Sequence, residues 1–142
     1  TVLLALLHPV LIVQLGKLLW GRVRFRHLAP SFADFTPWYL PQGITGHESF
    51  PSGHAAMGWM LLPIAFYLTR RFLAARGGSQ VRVPGNLVLA LVWGTVVLFG
   101  VAVAASRVVV GAHYLSDVAF STAVAWALSA LLASRHNPPT KV

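Results

Sequence analysis

Four apolar runs separated by polar stretches dominate the chain. The first extends from Val2 to about Leu19 and is interrupted by Pro9. The second runs from about Ala55 to Thr69 and contains Pro63. The third, Leu87 to Ala105, carries no charge, and the fourth, about Tyr114 to Ala133, has Asp117 near its start. A helix that crosses a bilayer needs about 20 mostly apolar residues. The third run meets this outright, whereas the second must borrow from its flanks. Pro9 and Pro63 are compatible with transmembrane helices, in which neighbours satisfy the freed backbone groups. The pattern therefore predicts an all-α, polytopic transmembrane bundle of four helices, forming one domain over residues 1–142. A soluble protein with these runs as buried helices is the competing fold, and the length of the runs disfavours it.

Three connections link the runs. Residues 20–53 form a long stretch rich in Pro, Gly and aromatics, including Trp38 and Tyr39. Connections of that length are more often functional than mere turns. The second connection, about 70–86, carries Arg70, Arg71, Arg76 and Arg82 without an acid, together with the turn chemistry of "GGSQ" and "PGN". The third, near 106–113, is short.

Composition sharpens the membrane assignment. The chain is 56% hydrophobic and only 10% charged, against about 25% charged in ordinary soluble domains. Mean hydropathy is +0.69. Eleven Lys and Arg stand against three acids, for a net charge of +8. A nucleic-acid binder would gather its cations on a solvated face. Here they lie between apolar runs, which excludes nucleic acid as a partner and suits anionic headgroups. The absence of Cys excludes disulfides and thiolate chemistry. The apolar pattern begins at once after Thr1, with no charged leader and no cleavage site, so the chain reads as a fragment whose upstream helices are missing.

Cytoplasmic loops of membrane proteins are enriched in Lys and Arg. That rule puts the 70–86 connection in the cytoplasm, with Arg135 and Lys141 on the same side. Residues 20–53 and the 106–113 turn then share the outer face. Lys17, Arg22, Arg24 and Arg26 violate the rule there, and anion binding would explain the violation.

Chemistry-bearing residues gather at that outer end. Lys17 and Arg24 stand seven residues apart in "KLLWGRVR", two helical turns if the first helix reaches that far. Pro51-Ser52-Gly53-His54 opens the second run, where a hydroxyl, a glycine allowing close approach and free helix-start N–H groups suit an anion. "SRVVVGAHYLSD" places Arg107 at the end of the third run and His113 at the start of the fourth. His113 and Asp117 share a helix face at i, i+4 and can hydrogen-bond. Each group has a plainer explanation taken singly. Lys17 and Arg24 could be cations snorkelling at the interface, Ser106 a small packing residue and His54 a satisfied histidine. Asp117 resists one, because a carboxylate within an apolar run needs a partner. His27 and His47 belong to the solvated loop. At average usage "PSGH" arises by chance in about one such chain per thousand, and the second pattern is independent of it.

Together these residues resemble the type 2 phosphatidic acid phosphatases, whose signatures are K-x6-R-P, P-S-G-H and S-R-x5-H-x3-D. Lys17 and Arg24 match the first, Pro51 to His54 the second, and Ser106, Arg107, His113 and Asp117 the third. Phe25 replaces the usual Pro of the first signature. The resemblance implies a multi-pass enzyme of the plasma or inner membrane, usually six-helical, with its site on the outer or periplasmic side. It implies hydrolysis of a lipid phosphomonoester or diphosphate without metal or cofactor. Lys17, Arg24, Ser52, Gly53 and Arg107 would hold the phosphoryl oxygens. His113 would attack phosphorus, Asp117 would orient it, and His54 would protonate the leaving oxygen. Vanadium haloperoxidases share such a cradle, but they are soluble. A lipid phosphotransferase, a zinc site built from His54, His113 and Asp117, and a non-catalytic scaffold compete with this reading. The cation excess opposes a dication, and a scaffold would not require the His–Asp spacing.

Overall fold

The computed structural model describes residues 2–76 and 85–135. The described chain is all-α. It comprises α1 (Val2–Trp20), α2 (Gly53–Gly58), α3 (Leu62–Arg76), α4 (Gly85–Val109) and α5 (Leu115–Arg135), with one 3-10 turn at Phe25–His27. The four expected helical segments are present, with α2 and α3 dividing the second between them. At 1.5 Å per residue, α4 and α5 are about 37 and 31 Å long. Both are long and apolar enough to cross a membrane, with mean hydropathies of 2.6 and 1.5 over their best windows. The outward face of α4 presents Leu91 and Leu98, 62% and 73% exposed, as a lipid-facing helix would.

Two sequence expectations about helix extent need correction. The run from Ala55 to Thr69 is not one helix. Pro63 has no N–H and its ring crowds the carbonyl of Trp59, four residues back. The chain tightens there into i, i+3 bonds, Met60 N–H to Met57 O at 3.1 Å and Leu62 N–H to Trp59 O at 3.0 Å, and restarts with Pro63 tolerated in the first turn of α3. The first helix also stops short of Arg24. Gly21 adopts φ +53° after Trp20, and a Cβ there would lie 2.2 Å from the carbonyl oxygen of Gly43. Only glycine fits this left-handed, crowded position. Arg24 therefore lies in extended backbone (φ −71°, ψ 144°) rather than two turns along α1 from Lys17.

Helices in lipid gain little from apolar burial against one another, so close packing and interhelical hydrogen bonds must hold the bundle. Trp59 illustrates both. Its indole lies against Gly100 of α4, where an added Cβ would meet the ring at 2.4 Å. Its Nε1 donates to Thr122 Oγ1 of α5 at 2.9 Å. Trp93 Nε1 likewise donates to Thr69 Oγ1 at 2.9 Å, joining α4 to α3. Trp59 packs edge-to-face on Trp126, and Phe66 on Trp93, at 5.6 and 5.1 Å. Such aromatic pairs are worth about 0.5–1.5 kcal/mol each. A second cluster of Ala55, Ala104 and Val118 seats α2 between α4 and α5. Arg70 and Arg71 fall within α3, which takes over part of the expected connection. Arg82 and Lys141 lie outside the described residues.

Candidate active site

Backbone hydrogen bonds stitch three separate parts of the chain together at one end of the bundle. In the loop after α1, Arg26 N–H donates to Gly111 O in the α4–α5 turn at 3.0 Å. Ser49 N–H donates to Arg22 O at 2.9 Å, and Ser52 N–H to Asp117 O at 3.4 Å. His113 N–H closes on Arg107 O at 3.2 Å. The loop, the start of α2 and the α4–α5 turn thus bring all three sequence clusters to one place.

His113 is buried at its centre. Its Nδ1 lies 2.6 Å from the carbonyl oxygen of Ser49. A carbonyl can only accept, so Nδ1 carries a proton and Nε2 is the nitrogen left to present a lone pair in the neutral ring. Among the described residues Nε2 makes no hydrogen bond. Asp117 Oδ2 is farther from Nδ1, at 3.7 Å. His113 lies in the turn before α5, so it does not share a helix face with Asp117 as the i, i+4 spacing suggested. The carboxylate is a neighbour beyond hydrogen-bond reach, and the carbonyl of Ser49 accepts the direct hydrogen bond.

Asp117 is fully buried and serves several groups. Arg22 Nη1 donates to Oδ1, closely enough for a tight ion pair. Ser49 Oγ donates to Oδ2 at 2.6 Å, and Tyr114 N–H to the same oxygen at 3.1 Å. Arg22 also donates to Ser116 Oγ at 2.9 Å, and its guanidinium lies 3.8 Å over the ring of Tyr114. It is only 3% exposed. Arg22 is consequently closed off by Asp117, unlike the other cations of this loop.

Lys17, Arg24 and Arg107 lie near His54. Its ring lies ahead of the apolar run, at the mouth, and its pKa lies below the ordinary imidazole value of 6.5. Partial desolvation is the leading cause, followed by the electrostatic influence of Arg107, His113, Lys17 and Arg24. Those groups are therefore within electrostatic reach of one ring. Arg107 is aimed by its neighbour: its Nε donates to Ser106 Oγ at 3.1 Å, and that hydroxyl donates to Val103 O at 2.7 Å. Lys17 Nζ pairs with Glu48 Oε2 at 3.3 Å. The chain's three acids are all engaged, Glu48 by Lys17, Asp117 by Arg22, and Asp34 by the N–H of Ala29 at 2.9 Å. Arg24 and Arg107 have no carboxylate partner among the described residues. Positive potential is concentrated at this mouth.

Ser52 and Gly53 lie directly beside it. Ser52 is fully buried, and its Oγ accepts from Ala55 N–H at 3.3 Å as the cap of α2. A Cβ on Gly53 would meet only Val13, at an ordinary 3.4 Å. Protein packing does not demand glycine there. Beside Pro51, a narrow apolar crevice runs between α1, α2 and α5, lined by residues including Ile12, Val13, Ala56, Phe120 and Val124.

Comparison with known protein families matched the PAP2 superfamily over residues 1–140. The chain belongs to the PAP2 superfamily. No curated protein and no solved structure matched it. Membership in the PAP2 superfamily implies a phosphatase-type activity, and its members are generally metal-independent phosphatases. The two membrane-span candidates fit a membrane helical bundle of this superfamily. Among the described residues, no three His, Cys, Asp or Glu side chains gather as a metal site requires.

Sequence reasoning missed Arg22 and Ser49 as parts of this PAP2 site. Arg22 stood out only as one of several cations in the wrong place. Its partner is 95 residues away, so no local spacing reveals the pair. Ser49 reaches His113 through its backbone carbonyl, a group every residue carries, and its hydroxyl serves Asp117, 68 residues away. The one available signal was Asp117 itself, an acid in an apolar run that required a cation from elsewhere.

Proposed function

We propose that the chain is an integral-membrane phosphatase acting on a lipid phosphomonoester or diphosphate through a phosphohistidine at His113. The observation that carries this is the state of His113 beside unpaired cations. With Nδ1–H given to Ser49, Nε2 keeps its lone pair, as a nucleophile must. Nε2 attacks phosphorus as the bond from phosphorus to the leaving oxygen breaks. His54 passes its proton to that oxygen, releasing an alcohol, or phosphate from a diphosphate. Water then attacks the phosphohistidine and returns a proton to His54. Inorganic phosphate leaves and His113 is restored.

Lys17, Arg24 and Arg107, with the hydroxyl of Ser52 and the backbone N–H of Gly53, hold the phosphoryl oxygens. Charge spreads over those oxygens in the transition state, so preorganised donors act mainly there. No metal takes part. Superfamily membership and the exposed apolar flank of α4, with Leu91 and Leu98 outward, support a lipid substrate. The Arg-rich end of α3 lies away from the site, which supports a cytoplasmic side there and an outer or periplasmic active site. The reading is tested by phosphate release from a panel of lipid phosphates, using detergent-solubilised protein with EDTA present. Turnover that survives EDTA and is blocked by vanadate is expected. No release from any lipid phosphate, or activity restored only by zinc, would overturn it.

A further inference from the structure

A buried arginine that binds no substrate can still govern a nucleophile, and the Arg22–Asp117 pair is built to do so. Both side chains are essentially removed from solvent, at 3% and 0% exposure. Arg22 Nη1 serves Asp117 Oδ1 and Ser116 Oγ together, while its plane lies over Tyr114, the residue after His113. Asp117 Oδ2 in turn accepts from Ser49 Oγ at 2.6 Å and from Tyr114 N–H at 3.1 Å. Ser49 then presents its carbonyl to His113 Nδ1 at 2.6 Å. A second link reinforces the first, because Ser49 N–H donates to Arg22 O at 2.9 Å. Both hydrogen-bonded routes from Arg22 to His113, one through Asp117 and one through the Arg22 carbonyl, run through Ser49.

We infer that Arg22 is a positioning residue, which acts through Asp117 and Ser49 to hold the imidazole of His113 in its Nδ1–H form and aimed at the phosphorus. This deepens the phosphohistidine reading and rests on it for its consequence in catalysis. Without Arg22 the carboxylate of Asp117 would be buried and uncompensated. Asp117 would then draw the Nδ1 proton from 3.7 Å away, competing with the Ser49 carbonyl and turning the ring. Misplacing a reacting group by about 1 Å can lower a rate about 10²-fold. Lysine could supply the charge but not the planar guanidinium that stacks on the Tyr114 ring while donating.

The test compares wild type, Arg22→Met, Arg22→Lys, Asp117→Asn and the Arg22→Met/Asp117→Asn double variant in detergent. Histidine labelled with 15N reports the His113 tautomer, with His113→Ala used for assignment. Single-turnover phosphorylation by an aryl phosphate reports the rate, and vanadate inhibition reports the anion cradle. Wild type should show Nδ1–H protonation. Arg22→Met should lose that signature and phosphorylate about 10²-fold more slowly, with vanadate affinity changed less than about 3-fold. Arg22→Lys should fall between, and it decides the matter if Arg22→Met does not fold. The double variant should be no slower than the slower single variant, since the residues act in series. An unchanged tautomer and rate in the folded Arg22 variants would overturn the inference. So would loss of vanadate binding in proportion to rate, which would make Arg22 part of the cradle. A wild type with the Nδ1–H signature but no phosphoenzyme would instead remove the phosphatase reading and leave the positioning device standing.

Discussion

His113 donates its Nδ1 proton to the backbone carbonyl of Ser49, across 2.6 Å. This contact sets the reactive nitrogen, and it comes from the loop that precedes α2 rather than from Asp117, four residues after His113. Asp117, the expected orienter, supports it from behind by holding the hydroxyl of Ser49. The arrangement differs from a simple His–Asp pair, and several measurements follow from the difference.

Asp117→Asn should be strongly destabilising. It leaves the guanidinium of Arg22 buried without a counter-charge, and one-sided disruption of a buried pair costs about 3–5 kcal/mol. The thermal midpoint in detergent should fall clearly. Arg22→Met/Asp117→Asn should recover part of the loss, because neither charge remains. Equal midpoints for wild type and Asp117→Asn would contradict the burial of the pair.

Glu48→Gln should strengthen anion binding. Glu48 occupies Lys17 in the empty site, and an incoming phosphate must displace it. The pair is half exposed, so its worth is at most about 1 kcal/mol. Vanadate inhibition should tighten by up to about 5-fold, with kcat undiminished. Weaker vanadate inhibition would show that Glu48 helps the cradle instead.

Gly53→Ala separates packing from substrate approach. The new methyl group meets only Val13 at ordinary distance, so stability should be unchanged or slightly raised. If phosphate approaches the backbone there, KM and the vanadate inhibition constant should both rise. A variant as stable as wild type with unaltered vanadate inhibition would remove Gly53 from the cradle.

His54 should reveal itself through leaving group and pH. General acid catalysis is worth about 10²–10⁴-fold for a poor leaving group. His54→Ala should lose most activity on an alkyl lipid phosphate and much less on a nitrophenyl phosphate. In the free enzyme its pKa is lowered by desolvation, Arg107, His113, Lys17 and Arg24. The acid form is the active one, so kcat/KM should decline with rising pH from a point below 6.5. A bound dianion favours the imidazolium, so the same limb in kcat should lie at higher pH. Identical limbs in both profiles, or equal losses on both substrates, would contradict this role.

The sequence made a good part of this site legible, for definite reasons. The i, i+4 spacing brought Asp117 near His113 even though His113 precedes α5, and an apolar run interrupted by a carboxylate demanded a partner. "PSGH" marked the start of α2 because glycine, a hydroxyl and a histidine rarely coincide at a helix entry. The loss of helix at Gly21 was not legible, since it depends on Gly43 crowding the turn from 22 residues away. The break at Trp59–Leu61 follows from Pro63, but proline is tolerated often enough in membrane helices to leave the outcome open. The identity of the cation facing Asp117 required tertiary structure. Lys17, Arg22, Arg24 and Arg26 are close in sequence, and only the path of the loop buries Arg22.

The central claim is that His113 takes the phosphoryl group on Nε2. The most direct measurement is rapid acid-free quenching with a radiolabelled aryl phosphate, followed by mapping of the phosphorylated peptide and the ring nitrogen. A base-stable, acid-labile phosphohistidine on Nε2 of His113 is predicted, absent from His113→Ala. Label on Nδ1, label on His54, or hydrolysis with no phosphoenzyme at any time would contradict the account.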